Sequence, residues 1–163
     1  MQISIQLPKS SYLMYRTTNG TKFGVYATNY FPPGVFIMEY IGVISHDKPA
    51  GDSSYVLECS KGATFWYIDA LVGGSIARFV NHSCKPNSYM VDLNDYSDTE
   101  QPRKLFLKSL VGIEKGFELT FRYSTKALFF DCLCGSVRCR SRPAVVPQVV
   151  VLPTVPAPRK TIK

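Results

Sequence analysis

A chain of 163 residues is about the size of one domain; with 45% apolar and 13% aromatic residues it has the material for a packed core, which excludes a disordered or fibrous chain. The net charge of +7 is lopsided: five of the 19 basic residues lie at or beyond Arg140, where no acid occurs, so the rest of the chain is nearly neutral and offers no nucleic-acid-binding stripe. No run reaches the roughly 18 apolar residues of a membrane-spanning helix, and no leader-like segment is visible, so the chain reads as soluble and intracellular, with its five cysteines as thiols or metal ligands rather than disulfides.

Residues 1–10 are a lead-in. "KFGVYATNYF" then runs into the turn "PPG" and the β-branched, aromatic run "VFIMEYIGVIS". "SSYVLECS" and "TFWYIDA" predict a hairpin around "KGA". "GGSIARFVNHS" is expected to supply one short helix, and "LNDYSDTEQP", residues 93–102, an exposed acidic loop. "KLFLKSL" and "FELTFRYS" flank the turn "EKG", "STKALFFD" is a short connector, and residues 141–163 form a basic tail too rich in proline to pack. None of these runs keeps a helical period over three turns, so the expected fold class is mainly β, of small sheets joined by tight turns.

The chemistry-bearing residues crowd into two places. "CLCGSVRCR" sets thiols at Cys132, Cys134 and Cys139, with a glycine inside to let the chain double back, a pattern that suits structural zinc but leaves one of its four positions open. Cys59, inside a predicted strand, and Cys84, in the loop "NHSCKPN", are the candidates for the fourth. A loop cysteine is freer to reach a metal, which favours Cys84. Composition assigns no role to the adjacent Asn81 and His82.

Together these segments resemble the SET-domain protein lysine methyltransferases. "KFGVYATNYFPPGVFIMEYIG" is similar to the family's opening strand pair, "DSSYVLEC" with "FWYIDA" to the lysine-channel region, "ARFVNHSCKPN" to the signature motif, "GFELTFRY" to the closing catalytic motif, and "CLCGSVRC" to the post-SET zinc segment. "DSSY", "IDA" and the cysteine spacing look closest to the histone lysine-9-directed branch. The resemblance implies a SET domain over residues 11–126 with a knot-like C-terminal core, a zinc-bound post-SET segment over 127–140 and the tail over 141–163.

It also implies roles. Asn81 and His82 are expected to hold the adenosyl part of S-adenosylmethionine, with Phe23, Gly24, Tyr55, Arg78 and Tyr123 around the same cofactor; Arg78 and Phe79 mainly shape the motif. Cys84, Cys132, Cys134 and Cys139 would hold one zinc ion. Tyr123 is the expected catalytic tyrosine, Tyr55 a channel residue that bonds the amine, and Phe121 the residue that leaves room for di- or trimethyl product. The implied partner is a lysine-bearing protein, a histone tail, in the nucleus. Lys22, Val43, Ser75 and Arg122 depart from the family pattern, in place of glycine, glutamate, asparagine and aspartate. The rival expectations are a non-catalytic SET-like module that binds a peptide or chromatin, and weak nucleic-acid contact through the basic tail.

Overall fold

Glycine and proline interrupt the apolar runs every few residues, and the strands that result are short. The structure, a computed structural model, describes residues 12–15, 23–61, 63–93, 104–124, 128 and 130–141. The expectations for the lead-in, Lys22, most of the acidic loop and the tail from residue 142 lie outside them. Among the described residues, ten strands of two to six residues fall in this order: β1 (Tyr12–Tyr15), β2 (Gly24–Ala27), β3 (Phe36–Tyr40), β4 (Val43–Ser45), β5 (Val56–Lys61), β6 (Thr64–Asp69), β7 (Asn81–His82), β8 (Ser88–Asp92), β9 (Leu105–Ser109) and β10 (Thr120–Phe121). No helix among the described residues is long and apolar enough to cross a membrane.

The strands form four small sheets: β1–β2, β3–β9–β8, β4–β6–β5 and the parallel pair β7–β10. The hairpin read around "KGA" forms, its last pair being Lys61 with Thr64. In β3 the register shifts between Phe36 and Met38, and the neighbours Ile37 and Met38 are both buried, against the strict alternation of a regular strand. They pack with Val25, Ile68, Leu107, Ile113, Leu119 and Phe121 in one core. Two serines sit inside it with their hydroxyls satisfied: Ser88 donates to the Thr120 carbonyl at 2.7 Å and Ser109 to the Pro32 carbonyl at 2.6 Å.

Two expectations are modified. The helix read in "GGSIARFVNHS" is a single 3-10 turn, Ile76–Phe79. Ser75 at its cap makes no capping bond, because its hydroxyl donates to the Glu39 carbonyl and accepts the Ile41 N–H at 3.3 Å. This unusual serine thus fastens the turn to the end of β3. "FELTFRYS" contributes only β10, and that strand pairs with β7 rather than with β9. Residues 116–119 are already committed to β2: Gly116 N–H donates to the Ala27 carbonyl at 2.8 Å, Ala27 N–H to Phe117 at 2.9 Å, and Leu119 N–H to Val25 at 2.7 Å.

Close backbone approach makes two glycines obligatory. A Cβ on Gly42 would run into the Asp69 carbonyl, and one on Gly74 would lie 2.5 Å from the Ile41 carbonyl oxygen, whereas one on Gly73 would meet open space. Gly42→Ala is therefore expected to cost about 1–3 kcal/mol of stability and Gly73→Ala almost nothing, as read from chemical denaturation midpoints.

Candidate active site and metal centre

The signature loop and the closing motif meet where β7 and β10 lie side by side, Asn81 beside Thr120 and His82 beside Phe121. Ser83 N–H extends the pairing by donating to the Phe121 carbonyl at 3.0 Å. This parallel crossing stands where the resemblance places the knot. It packs Phe121 against Tyr123, ring centroids 4.8 Å apart and planes tilted by 48°, and sets Tyr123 edge-on to His82 at 5.4 Å. The Tyr123 hydroxyl donates to the Val80 carbonyl at 2.8 Å.

Asn81 ties this centre to the start of β2. Its amide donates to the Phe23 carbonyl and to Glu118 Oε1, both at 2.7 Å. Beyond it, Phe23 packs edge-on to Phe79 at 5.9 Å, and Phe79 edge-on to Tyr55 at 5.8 Å. The Arg78 guanidinium lies over Phe79 at 4.8 Å and over Tyr55 at 5.7 Å, and donates to the Ala70 carbonyl at 2.8 Å. Among the described residues, Arg78 Nε is the one buried side-chain polar atom with no hydrogen-bond partner. A buried donor left unpaired is costly, so an acceptor on a ligand would be favoured there.

A cleft of about 970 Å³ runs between these groups, lined by Arg78, Asn81, His82, Phe121, Tyr123 and Phe130 among others. Phe23, Gly24 and Tyr55 are not among its lining residues. Tyr40, which the sequence reading did not single out, does line it; its hydroxyl donates to the Tyr55 carbonyl at 2.7 Å. Burial, with Asp69 nearby, pushes the Tyr40 phenol up to about 12. Burial raises the Tyr123 phenol as well, helped by Tyr40, Glu118 and Tyr55. Both stay protonated at neutral pH and act as dipoles, not bases. Phe130 was read only as part of a connector; its ring lies 5.5 Å from His82 and 6.0 Å from Tyr123. One tyrosine and one phenylalanine among ten of each carried no local signal of this placement.

Beside the cleft the four expected thiols come together. Sγ of Cys84, Cys132, Cys134 and Cys139 all lie within 4.8 Å of one another, and Cys84 Sγ is 3.9 Å from Cys132 Sγ. A zinc tetrahedron with sulfur at about 2.3 Å has an S···S edge of about 3.8 Å, so this donor set fits one zinc ion. Gly135, at φ +69°, makes the reversal that brings Cys139 back. Cys59 stays in β5, its Sγ 3.5 Å from the Trp66 carbonyl, and of the two candidates for the fourth position it is Cys84 that lies with the close-set trio. Burial pushes the Cys132 thiol up to about 12. Against the same effect, backbone N–H groups of Cys84 and Ser136 draw Cys134 down to about 7. His82 is lowered below the ordinary histidine value by burial and by Arg122 and Arg140, and is neutral at pH 7.

The SET-domain profile matches residues 22–124. The histone-lysine N-methyltransferase EHMT1 of Homo sapiens is 34% identical over 83% of this chain and 11% of its own length. The H3 lysine-9 specific histone-lysine N-methyltransferase SUVH5 of Arabidopsis thaliana is 33% identical over 77% of this chain and 18% of its own. The crystal structure of Arabidopsis thaliana SUVH6 in complex with S-adenosylmethionine superposes with a TM-score of 0.70 at 29% identity, over 85% of this chain and 33% of that one. The chain thus spans a third or less of the length of these relatives.

Metal ligation requires thiolates, so zinc uptake at pH 7 must expel at least the Cys132 proton. Zinc affinity of the metal-free protein is expected to fall about tenfold or more per pH unit on acidification, measured by competition with a chromogenic chelator, and Cys84→Ala to abolish stoichiometric zinc.

Proposed function

Because the chain belongs to the SET-domain family, we propose that it is a protein-lysine N-methyltransferase that takes its methyl group from S-adenosylmethionine and acts on a histone-tail lysine in the nucleus. The names of the relatives and the donor bound to SUVH6 support this reading, with lysine 9 of histone H3 the first substrate to test. Support comes above all from one feature: the parallel crossing brings Phe121 and Tyr123 into one cleft with Asn81 and His82.

The residues suit the donor. Its carboxylate, hydroxyls and ring nitrogens are acceptors for Arg78 Nε–H, the buried donor without a partner. Asn81 lines the cleft and is tied to the start of β2 through the Phe23 carbonyl. Both ring nitrogens of His82 are engaged, by Tyr123 N–H and by Cys84 Sγ, so its contact with the donor runs through its backbone. When bound, the donor supplies a methyl carbon on a sulfonium sulfur, open to in-line attack.

The protein's own work is to present a neutral amine on that line. A free lysine, with pKa near 10.4, is charged at pH 7 and has no lone pair to offer. Phe121, 5% exposed, and the aromatic walls of Tyr40 and Tyr123 disfavour the ammonium form. Alignment of the reactants removes roughly 7–11 kcal/mol of barrier. Tyr123 and Tyr40, held as neutral phenols, orient the amine by dipole, and its proton leaves to water. Phe121 has no hydroxyl to fix a water beside the amine, which leaves room for a second and third methyl group.

Transfer of labelled methyl groups to histone H3 tests the reading. Tyr123→Phe is expected to lower kcat by about 100-fold or more, and Phe121→Tyr to move the product, read by mass spectrometry, from di- and trimethyl-lysine toward monomethyl-lysine. Donor binding without transfer to any histone would identify a non-catalytic module instead. Mainly trimethyl product from Phe121→Tyr would refute the role given to Phe121.

A further inference from the structure

His82 connects the two halves of this site. Its Nδ1 accepts the backbone N–H of Tyr123 at 3.1 Å, and its Nε2 lies 3.4 Å from Cys84 Sγ. A backbone N–H can only donate, so Nδ1 carries no proton; the proton of the neutral ring is on Nε2, facing the sulfur. The ring is 7% exposed and boxed in edge-on by Tyr123 and Phe130. The same sulfur accepts the Arg140 N–H at 3.3 Å. Arg140 also donates from Nη1 to the Ser124 carbonyl at 2.8 Å, one residue past Tyr123. Arg122, the residue next to Tyr123, donates from Nη2 to the Cys84 carbonyl at 2.9 Å. Three links therefore join Cys84 and its neighbourhood to residues 122–124, and the imidazole is the one that reaches sulfur on one side and the Tyr123 amide on the other.

We propose that His82 is a positioning residue that couples the metal centre to Tyr123, its Nε2–H held by the Cys84 sulfur and its Nδ1 fixing the Tyr123 backbone. A thiolate is a stronger acceptor than a thiol. Ligation of a metal ion would hold Cys84 as a thiolate, strengthen the Nε2–H bond and favour the tautomer that accepts from Tyr123. Without that ion the ring keeps a weaker partner at Nε2, and the Tyr123 amide is held less firmly. The cationic Arg122, where the family pattern has aspartate, adds to this by placing positive charge beside the ligand loop of a site that four thiolates make negative. The part of the proposal that concerns Tyr123 rests on the methyltransferase reading; the part that concerns sulfur does not.

Two measurements on the full chain decide it. The chain has two histidines, so nitrogen-15 spectra of the zinc-loaded protein, with His82→Gln to assign the signals, report the tautomer directly. A proton on Nε2 is expected; a proton on Nδ1 overturns the proposal. In cobalt-loaded protein, His82→Asn puts an amide oxygen near the Nδ1 position and loses the donor to sulfur, while His82→Gln puts an amide nitrogen near Nε2 and loses the acceptor for Tyr123. His82→Asn is expected to shift the sulfur-to-cobalt charge-transfer band and weaken metal binding by about 10- to 100-fold. His82→Gln is expected to keep the band but lower kcat by about 10- to 100-fold, with KM for the donor little changed. Unchanged band and metal affinity in both variants refute the coupling. If wild type transfers no methyl group, the functional reading fails, while tautomer and band still decide the sulfur bond.

Discussion

Two residues of parallel ladder are too few to hold two strands together, yet β7 and β10 carry the centre of the site. What makes the crossing hold is the set of side chains spent on it. Ser88 Oγ donates to the Thr120 carbonyl. Asn87 accepts Thr120 N–H at 2.9 Å and donates to the Glu118 carbonyl at 2.8 Å. Leu119 and Phe121 are buried on either side of Thr120, so the strand cannot slip by one residue without expelling both from the core. The placement of Phe121 and Tyr123 follows from this register.

The metal centre continues the same constraint by other means. Cys84, Cys132 and Cys139 are buried, and among the described residues the apolar groups packed on them are Leu128, Phe130 and the partly buried Cys134. So small a cluster gives little hydrophobic stabilisation. A metal ion held by the four thiols would supply what the cluster lacks, because its binding free energy becomes folding free energy for the segment. Holding residues 132–139 against Cys84 closes one side of the cleft, where Cys132, Leu133 and Cys134 join Phe130 in the lining.

The departures from the family pattern divide by what the structure does with them. Ser75 has a role: it bonds both sides of the β3 end. Arg122 has one as well, at the Cys84 carbonyl. Val43 is 68% exposed on β4, and nothing in the structure explains it.

Composition and local spacing determined the class of fold, the short strands, the β5–β6 hairpin and the close-set trio of thiols, because turn residues and nearest-neighbour spacing act over a few positions. They also narrowed the fourth ligand to two cysteines. Motif order then pointed to Asn81, His82, Phe121 and Tyr123. Tertiary structure alone decided that Cys84, not Cys59, joins the thiols, that β10 leaves its neighbour in sequence to lie along β7, and that Tyr40 and Phe130 enter the site. It also decided that the His82 ring faces sulfur and the Tyr123 amide. The strand and thiol pairings among them join segments roughly 40 to 50 residues apart in sequence, and no local preference encodes which distant partner will satisfy a given donor once water is excluded.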